Sequence, residues 1–233
     1  MSIKKYFLAK TNALLRKIIF RTHRMEMNLD FSDKHPQPAF FNHYYDLYYQ
    51  WKLNANFFWL ERGIFNSFFI NTGAVLLELC CGDGFNTKYF YSQRASKILA
   101  VDMDLTAIAH ATLNNSCANI EYRVADIITE FPDGTYDNII MDAAIEQLST
   151  AEQNNLVAGI KAHLKQGGIF SGLTIQKKEG TSYLSHNKHE FDSKDSLNVF
   201  LSGHFKHTGI ISNTHNEKTY LYFVASDHNR KNL

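Results

Sequence analysis

The chain has 233 residues, of which 45% are hydrophobic, enough for one sizeable core, so a single domain with an added segment is expected. Its three cysteines, two of them adjacent, exclude a disulfide framework, no apolar run is long enough to span a bilayer, and nothing resembles a secretory leader, so a cytoplasmic setting is expected. The net charge of +1 excludes little by itself, but residues 1–24 carry seven Lys or Arg and no acid, which leaves the remainder net negative.

In chain order, residues 4–20 place Phe7, Leu8, Leu14, Leu15, Ile18 and Ile19 roughly on one helical face, with lysines and arginines elsewhere. Such a helix docks on its own domain or on a subunit partner, or makes peripheral contact with an anionic membrane or polyanion through residues 1–24. The region from Arg24 to Pro38 is polar, holds two prolines and reads as a linker. Helical spacing then predicts one helix near 40–52 and another near 56–70, both dense in aromatic residues. Most of these rings are packing groups, but His43, Tyr44, Tyr45, Tyr48 and Tyr49 join flat faces to polar tips. Such groups suit a lid over an organic ligand.

The stretch AVLLELCCGDGF, Ala74 to Phe85, reads as a buried strand, a tight turn and the start of a helix. Gly82 and Gly84 would let the backbone pass close to a ligand, and the helix start offers free amides. Lys97–Asp102 is a second strand, and Asp102 lies 24 residues beyond Glu78, near where an acid can bind ribose hydroxyls. A helix over Leu105–Asn115, a strand from Ile120 to Ala125 ending in Asp126, and a strand from Tyr136 to Met141 ending in Asp142 follow. Thus Glu78, Asp102, Asp126 and Asp142 all sit at strand ends, the edge of an open α/β sheet where ligands bind, although an acid there can also cap the next helix. A helix over Ala151–Leu164 ends at Lys165-Gln166-Gly167-Gly168, and a fifth strand spans Ile169–Ile175. Residues 176–196 form a polar insertion, in which His186 and His189 read as surface histidines and no metal site is expected. A helix over Leu197–Phe205 and an antiparallel pair, Thr208–Ser212 and Thr219–Ala225, close the domain.

Together these segments resemble the class I, Rossmann-like S-adenosylmethionine-dependent methyltransferases, from about Gly73 to about Ala225. The first motif is Glu78-Leu79-Cys80-Cys81-Gly82-Asp83-Gly84, with Cys80 where a glycine usually stands. Val101-Asp102-Met103 and Ala125-Asp126-Ile127 match the next two motifs, and Phe131 to Leu148 matches the fourth-strand segment, with Gln147 where many members have histidine.

The resemblance implies a seven-stranded, mostly parallel α/β sheet with an antiparallel last strand, helices on both faces and an aromatic-rich helical extension. That extension is residues 1–70 and the catalytic domain residues 71–228. It implies S-adenosylmethionine as cofactor and S-adenosylhomocysteine as product. Cofactor contacts would come from Glu78, Cys80, Gly82, Asp83, Gly84, Asp102, Met103, Asp126, Ile127 and Asp142. Met103 would pack on the adenine, and Asp126 would accept from its amino group.

For chemistry, Asp142, Glu146, His43 and Tyr45 are the candidates to orient or deprotonate an oxygen or nitrogen of a small organic acceptor. A nucleotide dehydrogenase would need a glycine at Cys80 and a second parallel half. A non-catalytic binding protein on this fold, or a macromolecule methyltransferase, would also be compatible with these motifs. Without a larger basic stripe, a nucleic-acid partner is not expected, and the chain is read as a monomer or homodimer.

Overall fold

Val75–Leu79 (β1) shows why the sheet is buried on both sides: Leu77 and Leu79 face one apolar layer and Leu76 the other. The computed structural model describes residues 3–30, 58–178, 188–215 and 217–229. Six further strands join β1: Lys97–Asp102 (β2), Ile120–Val124 (β3), Tyr136–Asp142 (β4), Leu164–Ile175 (β5), His207–His215 (β6) and Lys218–Ser226 (β7). Their order across the sheet is β3-β2-β1-β4-β5-β7-β6. β7 runs antiparallel to both its neighbours, and the other contacts are parallel. This is the expected α/β sheet with its antiparallel last strand.

The chain divides into two units, Met1–Ala55 and Asn56–Leu233. In the first, Ile3–Asp30 forms one continuous helix, α1. It runs through the start of the region expected to be a linker. The segment Arg24–Asp30 contains no proline or glycine and is rich in Met, Glu and Leu, so nothing in it stops a helix. The helix expected near 40–52, with His43, Tyr44, Tyr45, Tyr48 and Tyr49, lies outside the described residues.

In the second unit, Phe58–Phe69 (α2) covers one face of the sheet. Its Phe65 ring sits 5.2 Å from that of Tyr222 on β7, and Asn138 on β4 donates to the Phe69 carbonyl. A π-helical turn, Thr87–Tyr91, shares this face. Leu105–Asn114 (α3) leads into β3. The opposite layer is formed by Thr150–His163 (α4) and Lys194–Ser202 (α5), through Leu156, Val157, Ile160, Leu197 and Leu201. Both helices start on a serine capping box, Ser149 with Glu152 and Ser193 with Ser196.

Other boundaries also differ from those the sequence predicts; α5 spans Lys194–Ser202 where Leu197–Phe205 is expected. Gly167 and Gly168 do not cap α4. The helix ends at His163, and β5 begins at once at Leu164, with an irregularity in its pairing to β4 and Gly167 at φ +77°. The polar run from Asn213 to Lys218 is mostly strand: His215 pairs with Lys218, and the hydroxyls of Thr214 and Thr219 meet across the ladder at 3.0 Å.

Candidate active site at the carboxyl edge of the sheet

Side chains alternate along a strand, so parity decides which acids meet. Glu78 shares a face with Leu76, Asp102 with Ala100, and Asp142 with Ile140, the layer that α2 and the π-helical turn cover. Glu78 pairs with Ala100 on one side and Ile140 on the other. Asp102 and Asp142 therefore stand one side-chain repeat beyond Glu78 towards the carboxyl edge, flanking the turn that leaves β1.

That turn runs in left-handed backbone at Cys80, Gly82 and Gly84, with φ of 58°, 55° and 73°. Cys80 adopts this conformation without being glycine, a strain of about 1–2 kcal/mol. Ala143, just past β4, does the same at φ 55°. Strain of this kind persists where the surroundings over-determine it, often at ligand sites. The two glycines do different things. A Cβ on Gly82 would meet nothing within 4 Å, so its backbone borders open space. A Cβ on Gly84 would lie 2.4 Å from the Tyr122 hydroxyl, which donates to the carbonyls of Gly84 and Asn115. Gly84 thus packs closely against Tyr122 of β3, in left-handed backbone that favours glycine.

Asp102 braces the turn. Its Oδ2 accepts from the Gly82 amide and its Oδ1 from the Asp104 amide, both at 2.9 Å. Each oxygen retains a second lone-pair direction. Glu78 lies beneath, 3% exposed, and accepts from the Thr87 hydroxyl at 2.5 Å. Burial pushes its carboxyl up to about 8, reinforced by the nearby Asp142 charge and opposed by Thr87 and Arg62.

Asp142 is 7% exposed. Its Oδ2 accepts from Arg62 Nε at 2.9 Å and from Asn86 Nδ2 at 3.4 Å. Its Oδ1 and the Asn86 Oδ1 are buried and meet no donor among the described residues. Burial works against the Arg62 charge, but the Asp142 carboxylate outweighs it and holds the guanidinium firmly protonated.

The remaining candidates separate into exposed and structural groups. Met103 is 72% exposed at the end of β2. Asp83 accepts from the Phe85 amide, and Asp126 from the Ile128 amide, each closing a local turn. Ile127 is buried in the core, so its side chain packs inward. Glu146 is 3% exposed in a 3-10 turn after β4 and accepts from Thr174 at 2.8 Å. Burial raises its carboxyl to about 7. His43 and Tyr45 lie outside the described residues. His189 serves the fold: its carbonyl accepts from Gln153 and its ring meets Phe191 edge-on. Among the described residues no cluster of three metal-ligating side chains forms.

Sequence reasoning missed Arg62, Asn86 and a second network beside them. Glu61 accepts from Tyr222 at 3.0 Å and pairs with His215 at 2.6 Å, and Asn213 donates to its other oxygen at 2.5 Å. Burial raises the Glu61 carboxyl, but the bonds from His215, Asn213 and Tyr222 prevail and hold it below its ordinary value. One signal was available: Glu61 and Arg62 are the only charges in the otherwise apolar or small helix FWLERGIFNSFF.

The methyltransferase-domain family matches residues 76–168. An uncharacterized methyltransferase of Synechocystis is 28% identical over 46% of this chain and 50% of its own length. The ribosomal protein L11 methyltransferase of Aliivibrio salmonicida is 31% identical over 50% of this chain and 40% of its own length. The chain thus spans half or less of the curated relatives it matches. Among solved structures, the N-methyltransferase NodS from Bradyrhizobium japonicum in complex with S-adenosyl-L-homocysteine superimposes with a TM-score of 0.59 at 15% identity, covering 76% of this chain and 92% of that one. The fold is that of the class I, Rossmann-like S-adenosylmethionine-dependent methyltransferases.

Proposed function

We propose that this chain transfers the methyl group of S-adenosylmethionine to an oxygen or nitrogen of a small organic acceptor. The observation that carries the reading is the pair of strand ends around the β1 turn. Asp102 braces an amide turn open at Gly82 on one side, and on the other Asp142 presents a buried oxygen that meets no donor among the described residues.

This set of acceptors fits the cofactor class that NodS holds as S-adenosylhomocysteine. We assign the free lone pairs of Asp102 to the ribose diol, a geometry suited to a carboxylate. We assign the Asp142 and Asn86 oxygens to the ammonium of the methionine moiety, which would supply the donors these atoms lack among the described residues. Met103, exposed beside Asp102, suits packing on the adenine face. Glu78 is assigned a supporting role beneath the turn, because it is sealed from solvent by Thr87. Asp83, Gly84, Asp126 and Ile127 would shape the turns that carry these groups.

When bound, the cofactor supplies a sulfonium methyl, whose carbon–sulfur bond breaks as a bond to the acceptor forms, leaving S-adenosylhomocysteine and one acceptor proton to be removed. The protein's task is then alignment. Asp142, pinned by Arg62, is a rigid wall of the cleft and not a mobile base. Glu146, with its carboxyl near 7, is a candidate to receive a proton, and the Glu61–His215 pair is another on the α2 side. His43 and Tyr45 are proposed as acceptor contacts on sequence grounds alone.

The small-molecule reading draws on the aromatic residues between Phe40 and Phe69. The test is incubation with methyl-labelled S-adenosylmethionine and separate pools of small amines, small hydroxy compounds and protein. Label entering a small-molecule pool supports the reading, and label entering only protein overturns it.

A further inference from the structure

α1 is two-sided in a way that methyl transfer does not use. Phe7, Leu14, Ile18 and Met25 recur at intervals of seven, four and seven residues, which keeps them on one line of the helix, and Leu15 and Ile19 widen it. All six are exposed, Phe7 and Met25 by 65% each. Two threonines interrupt this face, but both turn their hydroxyls inward. Thr11 donates to the Phe7 carbonyl at 3.0 Å, and Thr22 donates to the carbonyls of Ile18 and Ile19 at 3.1 and 3.0 Å. Their methyl groups are left on the outer surface, so the face is apolar along several turns. Lys10, Lys17 and Arg21 follow the same seven-and-four spacing along one flank, Arg16 takes the other, and no acid occurs before Glu26. Lys10 also lies over the Tyr6 ring, 4.8 Å from its centre.

We propose that α1 is a membrane-surface helix that lies in the plane of an anionic bilayer, with Phe7, Leu14, Ile18 and Met25 in the acyl boundary and the flanking cations at the lipid phosphates. An apolar stripe bordered by cations on both flanks is the pattern that such a surface recognises. A second copy of the helix packed in parallel register fits poorly, because like charges would meet on both flanks along residues 4–24, where no acid stands to pair them. A nucleic acid would use the cations but leave the apolar face without a role. No helix among the described residues is long and apolar enough to cross a membrane, in keeping with an in-plane placement.

The test is flotation of the full chain with vesicles of phosphatidylglycerol or of phosphatidylcholine. Two double variants are compared with it, Leu14→Gln with Ile18→Gln and Lys10→Gln with Lys17→Gln. Glutamine keeps helix propensity, and circular dichroism checks that helix content is retained. The full chain should float with phosphatidylglycerol and bind phosphatidylcholine about tenfold less, and each double variant should lose about tenfold. Failure of the full chain to float with phosphatidylglycerol overturns the proposal. So does unchanged binding by the Leu14/Ile18 variant, which would mean adsorption by charge alone, as a nucleic acid site would give. Concentration-dependent dimerisation that this variant abolishes, with no vesicle binding, assigns the face to a second copy and also overturns it. None of these outcomes depends on cofactor binding, so the proposed activity is tested separately.

Discussion

Arg62 Nε donates to Asp142 Oδ2 at 2.9 Å and so fastens α2 to the end of β4. Both side chains are largely buried, at 11% and 5% exposure. Removing one partner strands the other's charge, whereas removing both leaves an apolar contact. Arg62→Met should cost about 3–5 kcal/mol in urea denaturation, and adding Asp142→Leu should restore much of that loss. Additive losses in the double variant would show that the pair is not coupled.

Glu78 makes stability depend on pH with a definite sign. In the folded chain its carboxyl titrates at about 8, against an ordinary 4.5. The folded state therefore keeps a proton that the unfolded chain has released, and stability falls as pH rises from about 4.5 towards 8. Glu146, raised to about 7, acts in the same direction over the lower part of that window. Melting temperatures should decline across this range, and Glu78→Gln should flatten the decline. A Gln variant with the same slope as the parent chain would remove Glu78 as its source.

The two glycines of the β1 turn should respond differently to alanine. Gly84→Ala drives a methyl group into Tyr122 in left-handed backbone, and overpacking of this kind costs about 1–3 kcal/mol in addition to the backbone strain. Combining it with Tyr122→Leu should recover the packing part. Gly82→Ala meets open space, so its stability loss is confined to backbone strain of about 1–2 kcal/mol, while its effect on ligand binding should be the larger one. Denaturation and calorimetry on the same samples separate the two effects.

Cys80 holds a conformation that suits glycine. Cys80→Gly should raise stability by about 1 kcal/mol, less whatever packing the side chain contributes to the neighbouring core. Cys80→Val, β-branched at the same φ of 58°, should lower it. A thermal shift of the opposite sign in both variants would show that packing, and not backbone strain, dominates at this position.

The parts of the fold that alternation and strand-end chemistry encode are legible in the sequence. β1, β2 and β4 are short apolar runs with an acid at or next to the end, and their existence follows from those runs. What escapes is whatever depends on contact between distant segments. Arg62 meets Asp142 across 80 residues, and Gly84 meets Tyr122 across 38, and neither pairing leaves a local pattern. α1 runs past Arg24 because polarity alone does not end a helix where no breaker stands. At Gly167 the lysine–glycine signature suits a helix end, but pairing with β4 prevails and draws Leu164 into the strand.

Asp102 and Asp142 are proposed to hold a sulfonium nucleoside at the carboxyl edge of the sheet. Calorimetric titration with S-adenosylhomocysteine, comparing the full chain with Asp102→Ala, tests this most directly. Saturable one-site binding is expected, weakened about tenfold or more by Asp102→Ala while the variant stays folded, as for the loss of hydrogen bonds to a charged group. No binding by the intact chain, or equal binding by a folded Asp102→Ala, would contradict it.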